Sequence, residues 1–292
     1  MKASAFAYER ATSIDNALKR LAAHGAAAKV LSGGQSLIPA MNLRLISPEF
    51  IVDIGELDEL RGIVVRGDRL IIGALTRHVD LLKSVEIAKH APLLAEAAAH
   101  IAHPAIRNKG TLGGSLAHAD PASELPACML ALDATIVVRN EHAERRIAAG
   151  EFFRGIYETV LSASELLVAV ELPIARWNSV HFFHEFARRN GDYAIAGLAA
   201  QTIVEGGVFK HLRLAFFAVG DRPVLAKVAG RLVNVQITSA LVLDAMAALG
   251  EELDPHDDQQ ASPSMRRHLA KVLLSRFAAT MLGRPELTGA LT

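Results

Sequence analysis

A single cysteine, Cys128, is the tightest limit this sequence sets. One thiol cannot hold an iron–sulfur cluster, a cysteine-rich zinc site or an internal disulfide. Its neighbours, Leu125-Pro126-Ala127 and Met129-Leu130, are apolar, which points to a buried structural thiol rather than a nucleophile. An excess of charge is missing too, since 31 Lys and Arg balance 31 Asp and Glu. Nothing therefore draws the chain to nucleic acid or to an anionic membrane surface. No apolar run approaches the roughly 20 residues that cross a bilayer, so no membrane span is expected. The opening MKASAFAYERATS has too short an apolar stretch before Glu9 and Arg10 for a signal peptide, and the cytoplasm is the expected location. Metal-ligand spacing is lacking as well: His100, His103 and His118 lie near Asp120 without a pattern that puts them on one surface. No metal site is expected.

What is present is a chain of 292 residues, 51% hydrophobic, long enough for two or three domains with cores of their own. Ile14, Ala17, Leu18, Leu21 and Ala22 recur at helical spacing between a capping Ser13 and a terminating Gly25. Ala28–Leu31 reads as a short buried strand, and Phe50–Ile54 as another. Arg61–Val65 and Arg69–Gly73 flank Arg66-Gly67-Asp68 and predict a hairpin. Helices are expected over Val79–Lys83, Pro92–His100 and from Ser123, with strands over Ala134–Val138 and Leu166–Leu172. Residues 103–121, rich in glycine and small polar residues, break the periodicity. Pro173 and the linker Ala175–Ser179 suggest a domain boundary. Beyond it, Val180–Arg188, Ala194–Glu205 and Val208–Ala218 predict a small antiparallel sheet turning at Gly206-Gly207, followed by helices. In the last helix Met265, Leu269, Val272, Leu273, Phe277 and Met281 form one apolar stripe, expected to face the core. The class is α+β.

The chemistry concentrates in two loops. Ser32-Gly33-Gly34-Gln35-Ser36 follows a strand and precedes Leu37-Ile38-Pro39. Paired glycines let successive backbone N–H groups turn toward an anion, and serine hydroxyls add donors. Gly110-Thr111-Leu112-Gly113-Gly114-Ser115 repeats that composition, with Arg107 and Lys109 just upstream. Two anion cradles suit a ligand with a diphosphate at its middle, such as a dinucleotide. Neither loop is a Rossmann or Walker-A motif, and each double glycine alone is also compatible with nothing more than a tight turn.

The stretches AKVLSGGQSLIPAMNLRL and IRNKGTLGGSLAHADPASELP together resemble the FAD-binding medium subunits of the molybdenum hydroxylases. That family includes the flavin subunits of aerobic carbon monoxide dehydrogenase and of bacterial N-heterocycle dehydrogenases, and the flavin domain of xanthine dehydrogenase is similar. The likeness continues through Phe152-Phe153, Glu165-Leu166-Leu167 and Arg188-Arg189-Asn190-Gly191-Asp192-Tyr193-Ala194-Ile195-Ala196, in the family's order along nearly the whole chain.

The resemblance implies an FAD-binding domain of the vanillyl-alcohol-oxidase type over residues 1–176, in two subdomains that meet near residue 56. A C-terminal flavoprotein domain of antiparallel sheet plus helices would follow over 177–292. It implies that Leu31, Ser32, Gly33, Gly34, Gln35, Ser36 and Leu37 wrap the FAD diphosphate. Gly110, Thr111, Gly113, Gly114 and Ser115 would hold phosphates and flavin from the opposite side, with Ile101, Ala102, Ala117 and His118 beside the cofactor. Ser123 and Glu124 would reach the adenosine half. Leu167 would touch the flavin, and Tyr193 would lie against its ring. Relatives commonly carry Asn where Ser115 stands and Asp where Glu124 stands, and some place a lysine near 184–187, where this chain has none.

The implied function is electron relay. A large partner with the molybdenum cofactor hydroxylates substrate, a small partner with two [2Fe–2S] clusters passes the electrons on, and the flavin delivers them to an external acceptor. The implied assembly is a dimer of heterotrimers, and no residue of this chain is needed as acid, base or nucleophile. Two other readings remain open on the sequence alone: a self-contained FAD oxidase, and a nucleotide-binding module without redox chemistry.

Overall fold

The computed structural model describes residues 2–174 and 178–291. The predicted linker residues Ala175 to Trp177, and with them the 176/177 domain boundary, lie outside the described residues.

The chain opens with a small βαβ-like unit. Strand β1 (Ala7–Arg10) leads to helix α1 (Ile14–His24), where Ser13 Oγ accepts from Asn16 N–H at the N-cap and Gly25 closes the C-terminus. Strand β2 (Ala28–Leu31), helix α2 (Leu37–Asn42) and strand β3 (Phe50–Asp53) follow. The three strands form a parallel sheet in the order β1-β3-β2, covered by Ala17, Leu18 and Leu21 of α1.

Strands β4 (Ile63–Arg66) and β5 (Arg69–Gly73) form the predicted hairpin, turning at Gly67. A run of helices comes next: α3 (His78–Lys83), α4 (Val85–His90), α5 (Pro92–His100), α6 (Pro104–Arg107), α7 (Leu112–His118) and α8 (Glu124–Ala131). The region without clear periodicity thus contains two short helices, α6 and α7. Strands β6 (Thr135–Arg139) and β7 (Glu144–Ala148), helix α9 (Ala149–Phe152), the short pair β8 (Phe153–Gly155) and β9 (Glu158–Thr159), and strand β10 (Leu166–Pro173) complete this part. The sheet order is β4-β5-β10-β6-β7. The predominantly polar edge strands β1 and β7 have no alternating apolar pattern to announce them.

The last part is a sheet of β11 (Ser179–Phe186), β12 (Ala196–Glu205), β13 (Val208–Phe217) and β14 (Val224–Leu225), with Gly206-Gly207 in positive φ at the β12–β13 turn. Helices α10 (Ala229–Leu232), α11 (Ser239–Glu252) and α12 (Pro263–Leu282) cover one face. Strand β12 is buried on both sides, which explains its apolar run. Ala199 joins α5 and α8 in one core, while Leu198 and Ala200 join α11 and α12 in another. Helices α5 and α8 are therefore shared between the five-stranded and four-stranded sheets, and loops from both sides converge at the ends of these helices.

In α12 the predicted apolar stripe is only partly the buried face. Leu273 and Phe277 are buried, but Met265 is 49% exposed and Arg266 is 6% exposed. The guanidinium of Arg266 donates to Ile195 O at 2.7 Å, Ala218 O at 2.9 Å and Asp258 Oδ2 at 2.7 Å. Three bonds from its terminal nitrogens let this charge lie inside although its Nε is buried without a partner, and the buried arginine puts a face other than the stripe that hydrophobicity alone predicts against the core.

Candidate functional site

The first loop leaves the C-terminal end of β2 in a parallel sheet, the edge at which such sheets present ligand crevices. Leu31 ends the strand and Ser32 to Ser36 form the turn. Gly34 adopts φ 71°, open to glycine at little cost. Leu37 begins α2, whose N-cap Ser36 makes no side-chain capping bond. Among the described residues, the N–H groups of Gly33, Gly34, Gln35 and Ser36 meet no protein acceptor. The Gln35 side chain bends back, its Nε2 donating to Gly33 O at 2.9 Å. A row of unpaired amides without a carboxylate among them is a ready anion site.

The second loop is built differently. Thr111 is the N-cap of α7, its Oγ1 accepting from Gly114 N–H at 3.1 Å. The other amides are engaged too: Leu112 N–H donates to Thr76 O at 2.9 Å and Gly113 N–H to Ala74 O at 2.8 Å. Gly113 is buried, and a Cβ there would stand 2.7 Å from that of Ala74. It lets α7 close on the end of β5. What this loop offers a ligand is its hydroxyls and the positive end of a short helix.

The two loops touch. Ser32 Oγ and Thr111 Oγ1 are 2.6 Å apart, and the Cα of Gly33 sits against the Lys109 carbonyl. Gly114 faces Ser32 across this seam, a Cβ there coming to 3.6 Å from Ser32 Oγ. Thus Ser32 to Ser36, Gly110, Thr111 and Gly114 form one cradle.

Behind the cradle lies His78, which no sequence pattern singled out. Only 4% exposed, it packs on Gly110 and places Nε2 3.0 Å from Ser115 Oγ. Burial, reinforced by the Arg107 charge, pushes its imidazole down to about 4, so it stays neutral. Ser115 is held by this histidine. Arg107, just upstream of the second loop, does not reach into it but donates to Ile101 O at 2.8 Å and Ala102 O at 2.9 Å. It fixes the bend after α5, where Ile101 is nearly buried and Ala102 has φ 40°. The Arg189–Tyr193 loop docks here, with Gly191 close against Ala102 O.

At the far end of α7, Ala117 is exposed and His118 stacks on Tyr157 with centroids 4.8 Å apart. Ser123 is the N-cap of α8 without a side-chain capping bond, and Glu124 begins that helix. Glu124 is 9% exposed. Burial first, then the charges of Glu185 and Asp120, pushes its carboxyl up to about 8, so it is largely protonated at neutral pH and can donate a hydrogen bond. Tyr193 is 57% exposed. Desolvation, then Asp120, Tyr157 and Glu124, raise its phenol to about 12, although water screens these charges at such exposure. The buried Glu124 and Asp120 thus lie within electrostatic reach of the Tyr193 phenol. Leu167 lies in β10, 3% exposed, in the core below α7. Cys128 is fully buried with its thiol pushed up by desolvation, an inert position.

A separate cleft of about 840 Å³, lined among others by Phe153, Arg154, Arg222, Lys227 and His256, contains none of the predicted site residues. Among the described residues no three His, Cys, Asp or Glu are grouped to hold a metal, and no helix is long and apolar enough to cross a membrane.

Residues 4–175 match the FAD binding domain in molybdopterin dehydrogenase, and residues 181–281 the CO dehydrogenase flavoprotein C-terminal domain. The chain is 38% identical to 6-hydroxypseudooxynicotine dehydrogenase complex subunit alpha of Paenarthrobacter nicotinovorans, over 99% of this chain and 98% of the relative. It is 34% identical to the carbon monoxide dehydrogenase medium chain of Hydrogenophaga pseudoflava, over 93% and 95% respectively. Among solved structures, carbon monoxide dehydrogenase from Hydrogenophaga pseudoflava superposes with a TM-score of 0.92 at 34% identity, covering 94% of this chain and 96% of that one. Quinoline 2-oxidoreductase from Pseudomonas putida 86 gives 0.90 at 35% identity, covering 100% of both chains. With its anion cradle, its mixed helix-and-sheet architecture and these matches along nearly its full length, the chain belongs to the FAD-binding medium subunits of the molybdenum hydroxylases, an oxidoreductase family.

Proposed function

We propose that this chain is the electron relay of a heterooligomeric molybdenum hydroxylase. It takes electrons from the [2Fe–2S] clusters of a small partner and passes them to an external acceptor, while a large partner with the molybdenum cofactor oxidises the substrate. The observation that carries the reading is the row of unpaired amides, Gly33 to Ser36, locked against the α7 N-terminus by Ser32 and Thr111. That arrangement fits a diphosphate. Bound FAD supplies the exchange between one-electron and two-electron carriers.

The chain's own residues bind and orient. The Gly33–Ser36 amides and the Ser32 and Thr111 hydroxyls hold the diphosphate, and neutral His78 keeps Ser115 in place beside them. Ile101, Ala102, Ala117, His118, Leu167 and Tyr193 flank the remainder of the cofactor, and the protonated Glu124 donates to one of its oxygens. The FAD-binding domain extends over 1–176, with subdomains meeting near residue 56, and the C-terminal flavoprotein domain over 177–292. The working assembly is a dimer of heterotrimers in the cytoplasm.

The test is flavin bleaching. Expressed by itself, the chain should bind FAD, show no iron–sulfur absorbance and remain yellow when the substrate of the native complex is added. Adding both partners should make bleaching substrate-dependent. If the isolated chain bleaches with substrate, it is a self-contained oxidase and the relay reading fails.

A further inference from the structure

Tyr157 is an exposed aromatic that the core does not explain. It lies in the turn between β8 and β9, 59% exposed, with φ 57°. A bulky residue in that region is strained and persists only where its surroundings hold it. Here its N–H donates to Ala119 O at 3.2 Å. Ala119 is itself left-handed at φ 52° and forms the C-cap of α7. Two strained backbones thus brace one another at the end of the helix that begins in the cradle.

The bracing gives the ring a fixed place. It stacks on His118 at a centroid separation of 4.8 Å and an interplanar angle of 28°. Burial, and after it the nearby Asp120 carboxylate, raises its phenol above its ordinary value. Asp120 is 6% exposed, and its Oδ1 accepts from Ala122 N–H at 2.9 Å, so the phenol's partner is fixed too. The Tyr193 hydroxyl experiences the same carboxylate and Tyr157 itself. The stacked Tyr157 and His118 thus lie beside one buried acid, whose charge the exposed Tyr193 also feels. Helix α7 has seven residues, so at 1.5 Å per residue this cluster lies about 10 Å along it from Thr111. FAD needs a separation of this kind between its diphosphate and its ring, and an exposed flat surface held rigidly suits a planar π-system.

We propose that Tyr157, backed by His118 and oriented by Asp120, is a second aromatic wall of the flavin-ring site alongside Tyr193. The inference rests on the FAD placement given above. Its consequence is a positioning role: the phenol and ring set the flavin's surroundings without taking part in electron bookkeeping.

Three variants of the full chain test it, each loaded with FAD. Tyr157→Gly removes the ring while suiting the positive φ, so the turn is expected to fold. Tyr157→Phe keeps the ring and removes the hydroxyl. Gly33→Ala reports separately on the cradle through FAD affinity. The readouts are the visible circular dichroism of the bound flavin, its emission lifetime and its midpoint potential, measured in wild-type and Tyr193→Phe backgrounds so that quenching by Tyr193 does not mask the change. Tyr157→Gly should alter the flavin dichroism, lengthen the emission lifetime severalfold and shift the potential. Tyr157→Phe should retain the wild-type dichroism with a longer lifetime. Loss of FAD from folded Tyr157→Gly, with retention by Tyr157→Phe, also supports the wall. An FAD-loaded Tyr157→Gly with wild-type dichroism, lifetime and potential overturns it. If instead Gly33→Ala binds FAD as wild type does, the cradle placement fails, and the Tyr157 variants still decide independently, because their spectra report contact with the ring wherever the diphosphate lies.

Discussion

Replacing Gly33 by Ala asks whether the contact between the two glycine loops is required to hold the cofactor. The added Cβ would lie inside the van der Waals envelope of the Lys109 carbonyl oxygen and 2.9 Å from both the Lys109 carbonyl carbon and the Gly110 Cα. Those are backbone atoms, and neither can swing away like the end of a flexible side chain. Lys109 and Gly110 are tied by their N–H groups to Ile106 O, and Gly110 O accepts from His78 N–H. The first loop must yield, and in yielding it separates Ser32 from Thr111. Forcing a methyl group into a packed contact costs about 1–3 kcal/mol. On the proposed placement of FAD, the cofactor-free variant can relax by parting the loops, whereas holding the diphosphate would require them to meet as they do here. The strain should therefore appear as lost affinity, about 5-fold to 150-fold weaker FAD binding at about 1.4 kcal/mol per tenfold.

The assay is FAD titration followed by flavin fluorescence, paired with thermal melting of the FAD-free chain. Gly150→Ala serves as the control: it lies in α9, where an added methyl group would have no neighbouring atom within 4 Å, and alanine suits a helix better than glycine. Gly33→Ala should weaken binding while leaving the FAD-free melting temperature close to wild type. Wild-type affinity in Gly33→Ala would refute the argument, since the cofactor would then not need the two loops together.

The architecture was legible where one local pattern had one meaning. Strand β2 running into Ser32-Gly33-Gly34 has a strand, a turn and donors in a single stretch, and the boundaries Ala28–Leu31 and Arg69–Gly73 were found as predicted. Glycines misled at α7, because two in succession argue against a helix by about 1 kcal/mol each. The structure places them there because Ala74 leaves room for nothing larger at Gly113 and Thr111 supplies the cap. Arg107 shows a second limit. A cation beside a glycine loop looks like an anion ligand, but the carbonyls left open at the end of α5 claim it first. Glu124 shows a third, since the carboxylate of Glu185 that raises its pKa comes from β11, far along the chain. His78 and Tyr157 had no motif around them, Asp120 lay inside the second quoted stretch without a role of its own, and only tertiary contact reveals what the three do.

Two further perturbations follow from the same geometry. Gly114→Val should abolish FAD retention while the fold persists, because its Cβ would press on the Thr111 hydroxyl at 2.8 Å and on Ser32 beyond it; a variant that purifies fully flavinated refutes this role for the seam. Glu124 should give the FAD-free chain a stability that declines as pH rises. Its carboxyl is held at about 8 in the folded chain, against 4.5 when unperturbed, so the folded state binds the proton more tightly than the unfolded one. Stability from this group is complete below the lower value and is lost as pH climbs through the upper one. At about 1.4 kcal/mol per unit of difference the loss is of the order of several kcal/mol, reduced by whatever water the ionised carboxylate admits. Glu124→Gln keeps the shape and removes the titration, so melting temperatures measured from about pH 5 to about pH 8 should fall less steeply than in the wild type. A decline identical in both proteins would assign the slope to another group and sink the case for a protonated Glu124.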